Sequence, residues 1–212
     1  MMRRTLPLLI LFFFAAAPLF AQTQPPASAQ PSSTAAVQLA VGQKLHIAGI
    51  HNGGKISAVL YRGAQPREQG FSELKKLGIT TIVDLRGEDG EKIQWERKHA
   101  ESLGMRFVNI PVSGWSPPTD EQVVQFLSLL RSDSPQKIFV HCRFGADRTG
   151  VFVATYRMAF EKWTVDQAIK EMYFFGFNGF WHPAMKSFIR DFPERLNSDP
   201  TLASLVKTPS QH

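Results

Sequence analysis

The chain has 212 residues, of which 43% are hydrophobic and 20% charged, and its formal net charge is +6. That balance excludes a wholly disordered chain and supplies enough apolar surface for one cored domain. A single cysteine, Cys142, excludes an internal disulfide and a cysteine-rich zinc site.

The start of the chain has the layout of a secretory signal peptide. Arg3 and Arg4 precede an apolar run from Leu6 to Phe20, and Ala21 places a small residue before Gln22. A bilayer span needs roughly 20 apolar residues, which this run does not reach. The expectation is export with cleavage after Ala21, to the periplasm or the medium. The alternative is an uncleaved membrane anchor, and a membrane enters the reading only through it. Without Arg3 and Arg4 the 24 basic residues become 22 against 18 acidic ones, which leaves +4. So small an excess, with no aromatic–basic motif beside it, does not support nucleic-acid binding. Residues 22–41 are expected to be a Pro/Ser/Gln/Ala-rich linker that buries too little to fold. Residues 42–196 are expected to be the folded domain, and residues 197–212 a polar, frayed tail.

Within the domain, strand and helix patterns alternate. Ala58–Arg62 (AVLYR) reads as a strand, and Pro66–Leu77 as a helix stopped by Gly78. Ile79–Leu85 (ITTIVDL) is a short β-branched run and so a buried strand. Glu91–Leu103 is a charged helix, and Met105–Val112 (MRFVNIPV) the next strand. Thr119 and Gln122 form a capping box that opens a helix with Val123, Val124, Leu127 and Leu130 on one face. Lys137–His141 (KIFVH) is a strand that runs straight into Cys142. Thr164 and Gln167 make a second capping box, and Pro183 suits the first turn of the last helix. The fold class is therefore α/β: a central, mainly parallel sheet flanked by helices. The aromatic run Tyr173–Phe177, with Phe180 and Trp181, reads as core and helix packing.

The chemistry concentrates at His141–Gly150 (HCRFGADRTG), between a strand and the apolar helical run that follows. A loop at a helix N-terminus presents several N–H groups and the positive end of the dipole, which makes a cradle for a dianion such as phosphate. Arg148 can grip two phosphate oxygens at once. The same positive surroundings favour the thiolate of Cys142, a strong nucleophile. Gly145 lets the backbone close around the ligand, and the Thr149 hydroxyl can donate to the sulfur. His141 is expected to orient the loop, and Arg143 and Phe144 to shape the pocket mouth. Arg62 and Arg86, at strand ends, are expected mostly in ion pairs with neighbours such as Asp84 or Glu88.

These residues resemble the signature of the cysteine-dependent protein tyrosine phosphatase superfamily: His-Cys, five residues, then Arg-Thr-Gly. All its positions are present, as His141, Cys142, Gly145, Arg148, Thr149 and Gly150. Tyr61–Pro66 (YRGAQP) and Leu77–Arg86 (LGITTIVDLR) resemble the lead-in of small atypical dual-specificity members from bacteria, plants and fungi. The resemblance implies a phosphomonoesterase with the strand–phosphate loop–helix site of that fold. Its two steps pass through a cysteinyl-phosphate on Cys142. Arg143, Phe144, Gly145, Ala146 and Gly150 would surround the phosphate, and no metal or organic cofactor is required. The substrate would be a phosphoprotein or a small phosphate ester, and the protein a monomer.

The general acid departs from the family pattern. Most members carry an aspartate just after the strand that here ends at Val112, where this chain has Ser113-Gly114. Asp147, inside the loop, and Asp120, after Trp115-Ser-Pro-Pro-Thr, are the two replacements, and neither is required to serve. Two other readings stand beside the phosphatase. One is a phosphate-binding module with little turnover; the other is a rhodanese-like sulfurtransferase, against which Arg148-Thr149-Gly150 argues.

Overall fold

The computed structural model describes residues 40–131 and 136–207. The expected signal peptide, most of the expected linker and the last five residues lie outside the described residues. Six strands form one sheet: β1 (Gln43–Lys44), β2 (Gly54–Lys55), β3 (Leu60–Ala64), β4 (Thr81–Arg86), β5 (Arg106–Val112) and β6 (Ile138–Cys142). Their spatial order is β1-β2-β3-β6-β4-β5. The four strands β3, β6, β4 and β5 run parallel, and β1 and β2 add an antiparallel edge that no period in the sequence announced.

Helices cover both faces, which is why the central strands β3, β4 and β6 are buried at every position rather than alternately. On one face α1 (Glu68–Lys76) and α2 (Gly90–Ser102) pack Phe71, Leu74, Ile93 and Ala100 against Ile82, Phe107 and Phe139. On the other, α3 (Asp120–Arg131), α4 (Asp147–Phe160), α5 (Val165–Phe174) and α6 (Pro183–Ser198) cover Val83, Leu85, Ile110 and Val140. Both capping boxes form: Thr119 with Gln122, and Thr164 with Gln167. No helix among the described residues is long and apolar enough to cross a membrane.

Two expectations need correction. The polar tail is helical: α6 runs to Ser198, and α7 (Pro200–Val206) follows with Leu202 fully buried. Asp199 caps α7 by accepting from the Thr201 and Leu202 amides, so one buried leucine and one cap order a segment whose composition reads as frayed. The aromatic run also divides. Phe175 and Phe177 are core, whereas Tyr173, Phe174, Phe180 and Trp181 are exposed, Phe180 at 84%. They sit where α5 ends and the chain turns toward α6, and there is no helix there to cover them.

Candidate active site

Strand alternation sorts the residues at the end of β6. Val140 and Cys142 belong to the α3–α6 face, while Phe139 packs toward α1 and α2 and His141 points that way too. Cys142 is 3% exposed at the floor of a cavity of about 400 Å³. From the loop, Arg143 and Phe144 line the cavity, and from the first turn of α4, Asp147 and Arg148 do so. Glu88, Gly114, Trp115 and His182 close it from other segments.

Donors behind the loop hold its carbonyls. Arg62 Nη2 donates to Gly145 O at 2.5 Å and Asn52 Nδ2 to the same oxygen at 3.0 Å, while Gln65 N reaches Arg143 O at 3.5 Å. Asn52 also donates to Phe175 O at 2.8 Å and so ties the loop to the end of α5. Across each trans peptide plane the next N–H points the opposite way, toward the anion side. Arg62 is fully buried, with its guanidinium 4.2 Å from the Phe175 ring centroid. Burial lowers its pKa to about 10, although Glu171, Cys142 and Asp147 pull the other way, so it remains a cation at neutral pH. Its role is to hold the loop from beneath, out of reach of a substrate.

Gly145 has φ +66°, and a Cβ there would lie 2.3 Å from the Gly63 carbonyl carbon. The backbone of β3 and the left-handed turn of the loop both demand a glycine here. Gly150 is likewise buried within α4, where a Cβ would meet Met172 and its amide donates to Ala146 O. Neither glycine nor Ala146 is among the residues lining the cavity. The Thr149 hydroxyl is buried without a hydrogen-bond partner, so the expected bond to sulfur is not made here.

Arg148 is poised by Glu88. The two carboxylate oxygens accept from Nη1 and Nη2, each at 2.8 Å, and Val112 O accepts from Nη1 at 3.2 Å. Those bonds use the end of the guanidinium and leave the Nε–H and the second Nη2–H without protein partners among the described residues. That side is the edge that takes two oxygens of one anion. Hydrogen bonding to Arg148 lowers the Glu88 pKa to about 2. A carboxylate held so strongly ionised is a poor proton donor at neutral pH.

The two acids proposed from sequence separate. Asp120 lies outside the cavity and pairs with Arg195 of α6 at 3.1 Å, so it serves the α3–α6 contact and the start of α3. Asp147 lines the cavity. Its Oδ1 accepts from the Asn178 amide at 2.9 Å, and Oδ2 lies 3.6 Å from His182 Nε2. The Ser113 hydroxyl, in the loop after Val112, accepts from the Trp115 and Ser116 amides and shapes the turn. Sequence reading missed Asn52 and His182, which are distant in sequence and carry no motif, and it placed Glu88 against Arg62 or Arg86 rather than Arg148 and read Trp115 only as the lead-in to Asp120. The absence of an acid after Val112 was the one signal that another group had to be sought.

On the opposite face from Cys142, His141 sits in a buried charged cluster. Its Nε2 is 3.2 Å from Glu96 and its Nδ1 3.8 Å from Asp84. Arg86 donates to both Asp84 oxygens, at 3.0 and 2.8 Å, and to Glu96. Asn109 takes over the Asp84 and Arg86 carbonyls, where the register between β4 and β5 shifts. Burial pushes the His141 pKa down, but Asp84 and Glu96 outweigh it and the net shift is upward. Two carboxylates and one guanidinium balance only when His141 carries a proton. Asp84, Glu96 and His141 offer three ligand atoms within 4.8 Å, but Arg86 already binds both carboxylates and occupies the cationic position.

Residues 34–188 match the family model described as a DSP-PTPase phosphatase fused to NAD+ kinase. Dual specificity protein phosphatase TpbA of Pseudomonas aeruginosa is 29% identical over 124 residues, 58% of this chain and 54% of its own length. NAD kinase 2, chloroplastic, of Arabidopsis thaliana is 34% identical over 100 residues, 46% of this chain and 10% of that protein. The chain thus spans about half of the first relative and a small part of the second. A crystal structure of P. aeruginosa TpbA in complex with phosphotyrosine superposes with a TM-score of 0.61. It covers 80% of this chain and 95% of that one at 23% identity, a likeness of fold.

Proposed function

The chain belongs to the family of DSP-PTPase phosphatase domains, cysteine-dependent enzymes of the small dual-specificity type, and from that premise we propose an exported phosphomonoesterase that acts through a cysteinyl-phosphate and favours aryl phosphates such as phosphotyrosine. The observation that carries the reading is the placement of the Cys142 thiol and the free edge of Arg148 in one cavity, with Glu88 and Val112 fixing that edge. In the first step Cys142 Sγ attacks phosphorus and the bond to the leaving oxygen breaks. Arg148 and the loop amides stabilise the equatorial oxygens as charge develops on them. The leaving oxygen takes its proton from the Asp147 side of the cavity. Water then attacks phosphorus, the S–P bond breaks, and the Thr149 hydroxyl is available to the departing sulfur.

The lining supports an aryl ester over a polyphosphate. Trp115 and Phe144, exposed at 69% and 66%, flank the mouth and offer faces to a phenyl ring. Arg143 and Arg148 are matched by Glu88 and Asp147, so the cavity carries no excess positive charge for several phosphates. Export rests on Arg3-Arg4, the apolar run and Ala21, and the N-terminal sequence of the mature protein, expected to begin at Gln22, tests it.

Hydrolysis of p-nitrophenyl phosphate by the wild type, reduced to background in Cys142→Ser, is the expected result. Phosphate binding without turnover by the wild type would sink the enzyme reading and leave a binding module.

A further inference from the structure

The cavity contains a titratable side chain that neither motif nor family pattern assigns. His182 closes its wall beside Asp147, at the N-terminus of α6. Its ring lies against Trp115, with centroids 5.4 Å apart, and faces Phe177 at 6.5 Å. Its backbone is held as well, since His182 N donates to Asn178 O, and Asn178 N in turn donates to Asp147. One short turn therefore sets both the imidazole and the carboxylate. Nδ1 is buried without a partner, which leaves Nε2, 3.6 Å from Asp147 Oδ2, as the ring atom able to exchange a proton with the cavity.

We propose that His182 is a catalytic residue: Nε2 protonates the leaving oxygen in the first step and takes a proton from water in the second, with Asp147 as the positioning residue that holds the ring and supports its charged form. The proposal rests on the phosphatase reading and supplies the acid missing after Val112. In the first step the electron pair of the breaking P–O bond goes to oxygen, and the proton on Nε2 follows it, which leaves neutral imidazole. In the second, imidazole accepts a proton as water oxygen bonds to phosphorus. The S–P pair returns to sulfur and regenerates the thiolate and the imidazolium.

The remaining carboxylates fit this role less well. Glu88 is committed to Arg148 and strongly ionised, and Asp120 lies outside the cavity. Asp147 Oδ1 is already engaged by the Asn178 amide, and its other oxygen faces His182. Imidazole changes charge in the physiological range and is suited to both halves of the cycle. The charged groups around His182 among the described residues are Asp147 and Arg148 from α4, Glu88 from the loop after β4, Arg143 from the loop after β6, and the Cys142 thiol. Lys186, one turn along α6, reaches Tyr173 instead.

The test is a leaving-group series of aryl phosphates, from dinitrophenyl to unsubstituted phenyl, with the mature wild type, His182→Gln and Asp147→Asn. His182→Gln should lose about 10²-fold in kcat on phenyl phosphate, progressively less as the leaving group becomes more acidic, together with the basic limb of the pH profile. An equal loss on every ester, or a retained basic limb, would overturn the proposal. If Asp147→Asn alone abolishes the limb, Asp147 acts as the acid by itself. A wild type inactive on all esters would sink the phosphatase reading instead. The NMR spectrum of the His182 ring, which needs no turnover, then decides the pairing: its ring signals should move in Asp147→Asn, and unmoved signals overturn it.

Discussion

Two buried arginine clusters flank the sheet, and their difference separates scaffold from site. In the first, Arg157 of α4 donates to both Glu171 oxygens, at 3.0 and 2.7 Å, and also to Glu161. Glu171 further accepts from the Gly42 amide, and the Trp163 ring covers the guanidinium at 4.2 Å. Both Glu171 oxygens are engaged, and the cluster pins the entry strand to α4 and α5. In the second, Arg86, Asp84, Glu96 and His141 are equally buried, yet both His141 ring nitrogens and Glu96 Oε2 lack well-aligned partners. A closed network of charges acts as a clamp. The open one encloses a group that changes charge, one residue from Cys142.

The sharpest way to break the comparison is Glu171→Gln. Removing the buried partner leaves Arg157 only Glu161, whose side chain is 24% exposed, and denaturant unfolding should show a loss of about 3–5 kcal/mol. Turnover per folded molecule should stay within about twofold, since the clamp touches no cavity residue.

Glu96→Gln should give the opposite split. Its stability loss should be smaller, about 1.5–3 kcal/mol, because Asp84 still balances Arg86. Alkylation of Cys142 by iodoacetamide at pH 7 should slow severalfold, since the imidazolium behind the loop loses its second carboxylate. An unchanged alkylation rate would reduce the second cluster to another clamp. The pH dependence follows from the raised pKa of His141. The protonated form is favoured in the folded chain, so its contribution is complete below about 6.5, the ordinary imidazole value, and is lost as pH rises through the higher folded value. The thermal-unfolding gap between wild type and Glu96→Gln should narrow over that rise.

Glu88 is the exposed counterpart and should show the smallest effect on stability. Its carboxylate is 47% exposed, so screening keeps the pair with Arg148 within about 1 kcal/mol. The pKa of about 2 lies below the ordinary 4.5. The term is therefore present above about pH 4.5 and fades as pH falls toward 2. Scans of wild type and Glu88→Gln should converge across that range. The same variant should lower kcat/KM about tenfold by releasing the Arg148 edge, equivalent to about 1.4 kcal/mol. Unaltered kinetics would show that Val112 and the loop orient Arg148 unaided.

The sequence alone determined the alternating elements of the domain from residue 60 onward and the two capping boxes, and it singled out Cys142 and Arg148, which the fold brings into one cavity. Each is a local pattern: a period, a cap, or a motif within ten consecutive residues. It also exposed a missing acid after Val112. What tertiary structure decided are the features that depend on which distant side chains meet. Short strands β1 and β2 pair only because β3 offers an edge, and α7 is ordered because Leu202 finds the core. Gly145 is required by the backbone of β3, 82 positions earlier at Gly63. Asp147 and Asp120 are equivalent on paper, since each opens a helix. One turns into the cavity and meets His182, while the other meets Arg195, and that placement depends on the packing of α6, which no local period encodes.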